Sequence, residues 1–228
     1  MKPIPIIILP GLDGSDLLLQ RFIDLAPSDI SARVVSLPDD SNADYNALVG
    51  HVSAIIGTEP CHIIAESFSG PIGILLAHRI PEFVSRLTLV ASFASPPTPS
   101  FARYMPWSLL FRLPMPRFVA QRYFLGPATS LIPTFRAAIR TACVPTLVQR
   151  LHCVMNANVT DELSEIKCPI DYVRPSKDRL ISDRVFRNLL MVNPNTYVIP
   201  IDGPHLIMQT KPKETWAGIL GRTFDKPE

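Results

Sequence analysis

Apolar residues fall along this chain in two rhythms, short continuous runs and longer stretches of helical spacing, and for the first ninety or so positions the two alternate. Ile4 to Leu9 is an apolar run bounded by prolines and predicts a buried strand, and Leu17 to Leu25 predicts a helix. Ala32 to Leu37 predicts a second strand, Tyr45 to Ile56 a helix, Cys61 to Ala65 a third strand, Ile72 to Arg79 a helix and Leu87 to Ala91 a fourth strand. Strand and helix in strict turn imply a mostly parallel, doubly wound α/β sheet. The rhythm then stops. From Ser92 to Thr160 no convincing strand is present, and short apolar helical stretches are broken by Pro96, Pro97, Pro99, Pro106, Pro114, Pro116, Pro127, Pro133 and Pro145. It resumes after Asp161, with strands expected at Ile170 to Arg174 and Thr196 to Pro200. The expected organisation is a core of residues 1–91 and 161–228 with a helical lid, 92–160, inserted between sheet strands.

Within that pattern one junction carries chemistry. His62-Ile63-Ile64-Ala65-Glu66-Ser67-Phe68-Ser69-Gly70-Pro71 runs from an apolar strand through a tight turn into an apolar helix, with a serine between small neighbours. Such an elbow lifts a hydroxyl out of regular structure and sets it beside helix N–H groups. Ala65 and Ser69 take the positions usually held by glycine, and Gly70 keeps one residue without a Cβ where the helix passes its neighbours. Ser69 is the rival nucleophile, but it would put Pro71 and Ser67 at the small positions, a poorer steric fit. A serine that merely caps the helix is the bland reading.

A nucleophilic serine needs a base and a carboxylate, here in the order Ser, Asp, His. Asp178 lies in the loop leaving the strand that ends at Arg174, and His205 follows the Gly203-Pro204 turn after the last strand, so both belong at the carboxyl edge of the sheet. Asp161, Asp171, Asp183 and Asp202 are less well placed. Of the five histidines, His51, His62, His78 and His152 fall in predicted helices or the elbow strand.

These residues, with Leu9-Pro10-Gly11-Leu12-Asp13-Gly14 after the first strand and the Ser176 to Leu180 run, make the chain resemble the α/β-hydrolase superfamily over nearly its whole length. The resemblance implies a serine esterase with Ser67, Asp178 and His205 as catalytic residues. It also implies an oxyanion hole from the N–H groups of Leu12 and Phe68. Pro10-Gly11 stands where the family often has His-Gly, which leaves the backbone role of Leu12 intact. The implied chemistry needs no metal and no cofactor. Thioester cleavage or acyl transfer on the same triad, and a non-catalytic binding protein of this fold, are the alternatives.

Composition changes the picture in one respect. The chain of 228 residues is 47% hydrophobic with 24 prolines, and its net charge is only +2. Yet from Phe83 to Thr160 there is no Asp or Glu, while Arg86, Arg103, Arg112, Arg117, Arg122, Arg136, Arg140 and Arg150 all fall there. The rest of the chain then holds 14 basic against 20 acidic residues, a balance of −6. Arg112, Arg117, Arg122, Arg136, Arg140 and Arg150 are therefore expected to meet an anionic substrate or partner, either an acidic acyl carrier protein or an anionic lipid surface. The apolar cluster from Phe101 through Trp107 to Phe118 reads as the ceiling of an acyl pocket, an interfacial contact or simply lid core. Within the superfamily the chain is similar to small lidded bacterial carboxylesterases, including the type acting on a pimeloyl methyl ester of acyl carrier protein. Nucleic acid is not an expected partner, since no recognised module appears. No run suits a transmembrane helix, and the cysteines Cys61, Cys143, Cys153 and Cys168 lack metal-ligand spacing, so free thiols and a cytoplasmic location are expected.

Overall fold

The computed structural model describes residues 4–98 and 100–221. Pro99 and the outer ends of the expected core, 1–3 and 222–228, lie outside the described residues. Six strands form one sheet in the order β2-β1-β3-β4-β5-β6, and every pairing is parallel. They are β1 (Ile6–Leu9), β2 (Ala32–Val34), β3 (Cys61–Glu66), β4 (Val84–Val90), β5 (Ile170–Pro175) and β6 (Tyr197–Ile201). Parallel strands need crossovers, and helices supply them on both faces.

The period-two alternation of the strand residues sorts the core into two halves. Ile7, Leu9, Ile63, Ala65, Leu87 and Tyr172 face one side, where α2 (Tyr45–Ile56) and α3 (Gly70–Arg79) cover them. Ile6, Ile8, Ile64, Val90, Val173 and Ile199 face the other. There Phe22 of α1 (Gln20–Asp24) stacks on Trp216 at 4.4 Å, and the indole N–H donates to Phe22 O at 2.7 Å. Burial of large aliphatic chains on both faces, roughly 1.5–3 kcal/mol for each, is the main force fixing the sheet.

Between β4 and β5 the described residues form helices and turns and no strand. The helices are α4 (Trp107–Leu110), α5 (Arg117–Ala120), α6 (Ile132–Ile139), α7 (Val144–Met155) and α8 (Thr160–Glu165), with 3-10 turns and one π turn, Gln121–Leu125. This insertion is not a detached flap. Ala120, Leu125, Ile132 and Phe135 pack with Leu18 and Leu206 over the carboxyl edge of the sheet, and Cys153, Val154 and Val159 join the main core. Beyond β5, α9 (Asp183–Val192) crosses to β6, and α10 (Ile207–Thr210) and α11 (Pro212–Gly221) close the chain. Among the described residues no helix is long and apolar enough to cross a membrane.

Several expected bounds move. The second strand stops at Val34 because β2 is the sheet edge, where Val35 and Leu37 instead donate to Ile8 O and Gly14 O at 3.0 and 2.8 Å. The fourth strand begins three residues early, where Arg86 pairs with Asp171 at 3.1 Å.

Candidate active site

All strands run the same way, so the loops leaving β1, β3, β5 and β6 meet at one edge. Ser67 follows β3 with φ of 46°, a left-handed conformation rare outside glycine and costly for a serine. The surroundings hold it there. Ser67 O accepts from Gly70 N and from Ser92 Oγ, the latter at 2.6 Å, and Phe68 O accepts from the Tyr45 hydroxyl at 3.2 Å. Gly70 is required for this fit, since a Cβ there would lie 1.7 Å from Ser92 Oγ. Ser69, the rival nucleophile, is buried with its hydroxyl donating to Pro10 O.

The Ser67 hydroxyl lies 2.9 Å from His205 Nε2, and His205 Nδ1 lies 3.0 Å from each oxygen of Asp178. The two loops that bear His205 and Asp178 are tied together, Lys177 N donating to Gly203 O at 2.9 Å. Phe124 of the insertion also holds the His205 loop, its carbonyl accepting from Leu206 N at 3.0 Å. Burial alone would raise the Asp178 pKa. The facing His205 and the N–H groups of Ile181 and Leu180 outweigh burial and hold the carboxyl below its ordinary range.

The other titratable candidates lie elsewhere. Asp171 pairs with Arg86, Asp183 with Arg174 and Asp202 with Lys177, while Asp161 sits in the first turn of α8. His62 is buried against Thr88 Oγ1 at 2.8 Å, and burial lowers its pKa to about 3. His78 pairs with Glu165, and His51 meets Ser36 O.

Leu12 and Phe68 flank Ser67 at the same cavity. Phe68 lies in the first turn of the elbow helix, whose leading N–H groups have no intrahelical acceptor and carry partial positive charge. The Gly11 carbonyl accepts from Gly14 N at 3.0 Å in a tight turn. Because a trans peptide sets its N–H opposite its C=O, the Leu12 N–H faces away from that turn. The cavity above Ser67 measures about 290 Å³ and is walled by Trp107, Phe111, Phe124, Phe135 and Leu206 among others. Among the described residues no group of three or more His, Cys, Asp or Glu is arranged to hold a metal.

The lid arginines divide. Arg112, Arg117, Arg122 and Arg140 are exposed, and Arg136 is half-buried with two N–H groups donating to Met115 O at 3.2 and 2.8 Å. Arg150 corrects the expectation of a partner contact. It is only 2% exposed, and its guanidinium donates to Leu12 O and Pro38 O, both at 2.9 Å. The helical stripe of α7 accounts for this, because Arg150 shares its buried face with Leu147 and Val154. Gly14, at φ 73°, fits beneath it, since a Cβ there would meet Arg150 Nη1 at 2.4 Å.

Sequence reading also passed over Glu66. This carboxylate is buried, accepts from Gln209 Nε2 at 2.8 Å and from Gly11 N, and has its pKa raised to about 7, first by burial and further by nearby Asp13. An acid whose folded pKa lies above its ordinary 4.5 supplies stability that is complete below that value and lost as pH rises through about 7. Glu66→Gln is therefore expected to flatten the pH dependence of unfolding free energy between pH 5 and 8, by on the order of 3 kcal/mol, in urea titrations. An unchanged pH profile would show that Glu66 ionises normally.

No family model matches the chain, and no curated protein does. Solved structures match closely in shape at low identity. An α/β hydrolase enzyme, MGS-M2, from a Medee basin deep-sea metagenome library is 15% identical with a TM-score of 0.80, covering 100% of this chain and 92% of that one. The enol-lactonase of Burkholderia xenovorans LB400 is 16% identical with a TM-score of 0.77, covering 97% and 92%. A structure from a study of carboxylesterases in Nitrososphaera gargenis is 15% identical at 0.77, covering 97% and 90%. The chain has the α/β-hydrolase fold.

Proposed function

We propose that this chain is a serine hydrolase that cleaves a carboxylic ester in two steps. As Ser67 Oγ attacks the carbonyl carbon its proton passes to His205 Nε2, while Asp178 fixes the imidazole tautomer and stabilises the imidazolium. The N–H groups of Phe68 and Leu12 take up the oxyanion. Collapse of the tetrahedral intermediate breaks the ester C–O bond, and His205 returns the proton to the departing alcohol. A water, deprotonated by His205, then releases the acid from Ser67. The observation that carries this reading is the line of hydroxyl, imidazole and carboxylate at 2.9 and 3.0 Å, set against an apolar cavity.

The cavity of about 290 Å³ is at the small end of ligand sites and favours a short to medium acyl chain. The free thiols of Cys61, Cys143, Cys153 and Cys168 fit work in a reducing, cytoplasmic compartment. A fluorophosphonate probe should form one adduct, mapped by peptide mass to Ser67. Turnover on p-nitrophenyl esters should peak at short to medium acyl chains and fall for long ones. No adduct, with no hydrolysis of any ester or matched thioester, would mark a binding protein instead.

A further inference from the structure

The segment from Phe101 to Tyr123 is apolar on two sides. Trp107, Phe111 and Met115 form part of the cavity wall. Phe101, Tyr104, Leu113 and Phe118 instead present 65%, 83%, 56% and 71% of their surface to the outside. Closing a cavity requires only the inward set, so the exposure of these four large side chains is left for another contact to explain. Arg103, Arg112, Arg117 and Arg122 are interleaved with it, all exposed. Arg112 and Arg140 border one shallow groove with Leu113.

We propose that this outward face docks on an anionic lipid bilayer, with the aromatic and leucine tips in the acyl boundary and the guanidinium groups among the headgroup phosphates. A bilayer offers both chemistries together, an apolar boundary beneath a layer of anionic headgroups. An acidic soluble protein would answer the arginines but would need an apolar patch of its own to match the exposed tips. A second copy meeting face to face would set cation against cation, because Phe83 to Thr160 contains no acidic residue. The remaining chain, at −6, is repelled by the same surface, so the charge separation also orients the molecule. Docking needs no chemistry at Ser67 and stands or falls apart from the ester-cleavage reading.

The test is co-sedimentation of the full chain, carrying Ser67→Ala, with sucrose-loaded vesicles of phosphatidylcholine alone or mixed with phosphatidylglycerol. Retention by mixed vesicles should exceed retention by phosphatidylcholine on the order of tenfold and weaken as salt rises past about 0.15 M. Phe101→Ser with Phe118→Ser, and separately Arg112→Ser with Arg117→Ser, should each lower retention on the order of tenfold with circular dichroism and melting temperature kept. Equal, weak retention by both vesicle types would overturn the proposal, as would pairs of substitutions without effect. So would lipid-free self-association in ultracentrifugation that the Phe101/Phe118 pair abolishes, or an added acidic carrier protein that binds this face and not the lipid.

Discussion

Ser67→Ala is expected to lower kcat for ester hydrolysis by on the order of 10⁴ to 10⁶ while KM and melting temperature stay close to wild type. The substitution removes one oxygen and little else. The contacts that hold the elbow use the carbonyls of Ser67 and Phe68, and these remain. Alanine tolerates the φ of 46° no worse than serine does. His205 keeps its carboxylate partner, and the Phe68 and Leu12 N–H groups proposed to take up the oxyanion are untouched, so a small residual rate is expected. Steady-state kinetics with intact-mass analysis check both parts, since the variant should form no acyl adduct. Near-normal turnover in the purified variant would remove Ser67 as nucleophile.

Arg150→Met should act on both stability and rate. It leaves the partly buried carbonyls of Leu12 and Pro38 without these donors and removes the cation that moderates Asp13, whose pKa burial raises. The expected loss is about 2–4 kcal/mol in urea unfolding, at about 1–3 kcal/mol for each acceptor left without its donor. The loop beneath the guanidinium carries the Leu12 N–H. A full oxyanion donor contributes about 10² to 10³ in kcat, so its misplacement should cost at least tenfold, with KM little changed. Arg150→Lys should restore part of the stability and less of the rate, because one ammonium replaces a fork that reaches two carbonyls. Wild-type stability and kcat in Arg150→Met would refute the role.

The sheet was legible because its signal is redundant. Ile6 to Leu9 is apolar at every position and Cys61 to Ala65 at every position but His62, as strands covered on both faces tend to be. Ser67, Asp178 and His205 could be picked out because each follows a strand in a loop whose chemistry has few other uses. Glu66 and Arg150 were not legible in the same way. Each resembles a surface residue until its partner is known, and those partners, Gln209 and Leu12, lie 143 and 138 positions away. The spacing from Leu147 through Arg150 to Val154 did carry a sign of burial, which the missing acids of the segment obscured. The short helices from Trp107 to Ala120 span a single turn each, too short for periodicity to fix a face.

The place where the insertion leaves and rejoins the sheet bears on how such a scaffold diversifies. It departs after β4 and returns before β5, which are hydrogen-bonded neighbours, so its length and sequence are free to vary without altering strand order. The tether from Arg150 to the loop after β1 sets a limit on that freedom. A transplant that exchanges the stretch from Phe101 to Arg140 for a foreign one changes the wall of the cavity, whereas one that also discards α7 takes away a brace of the loop after β1.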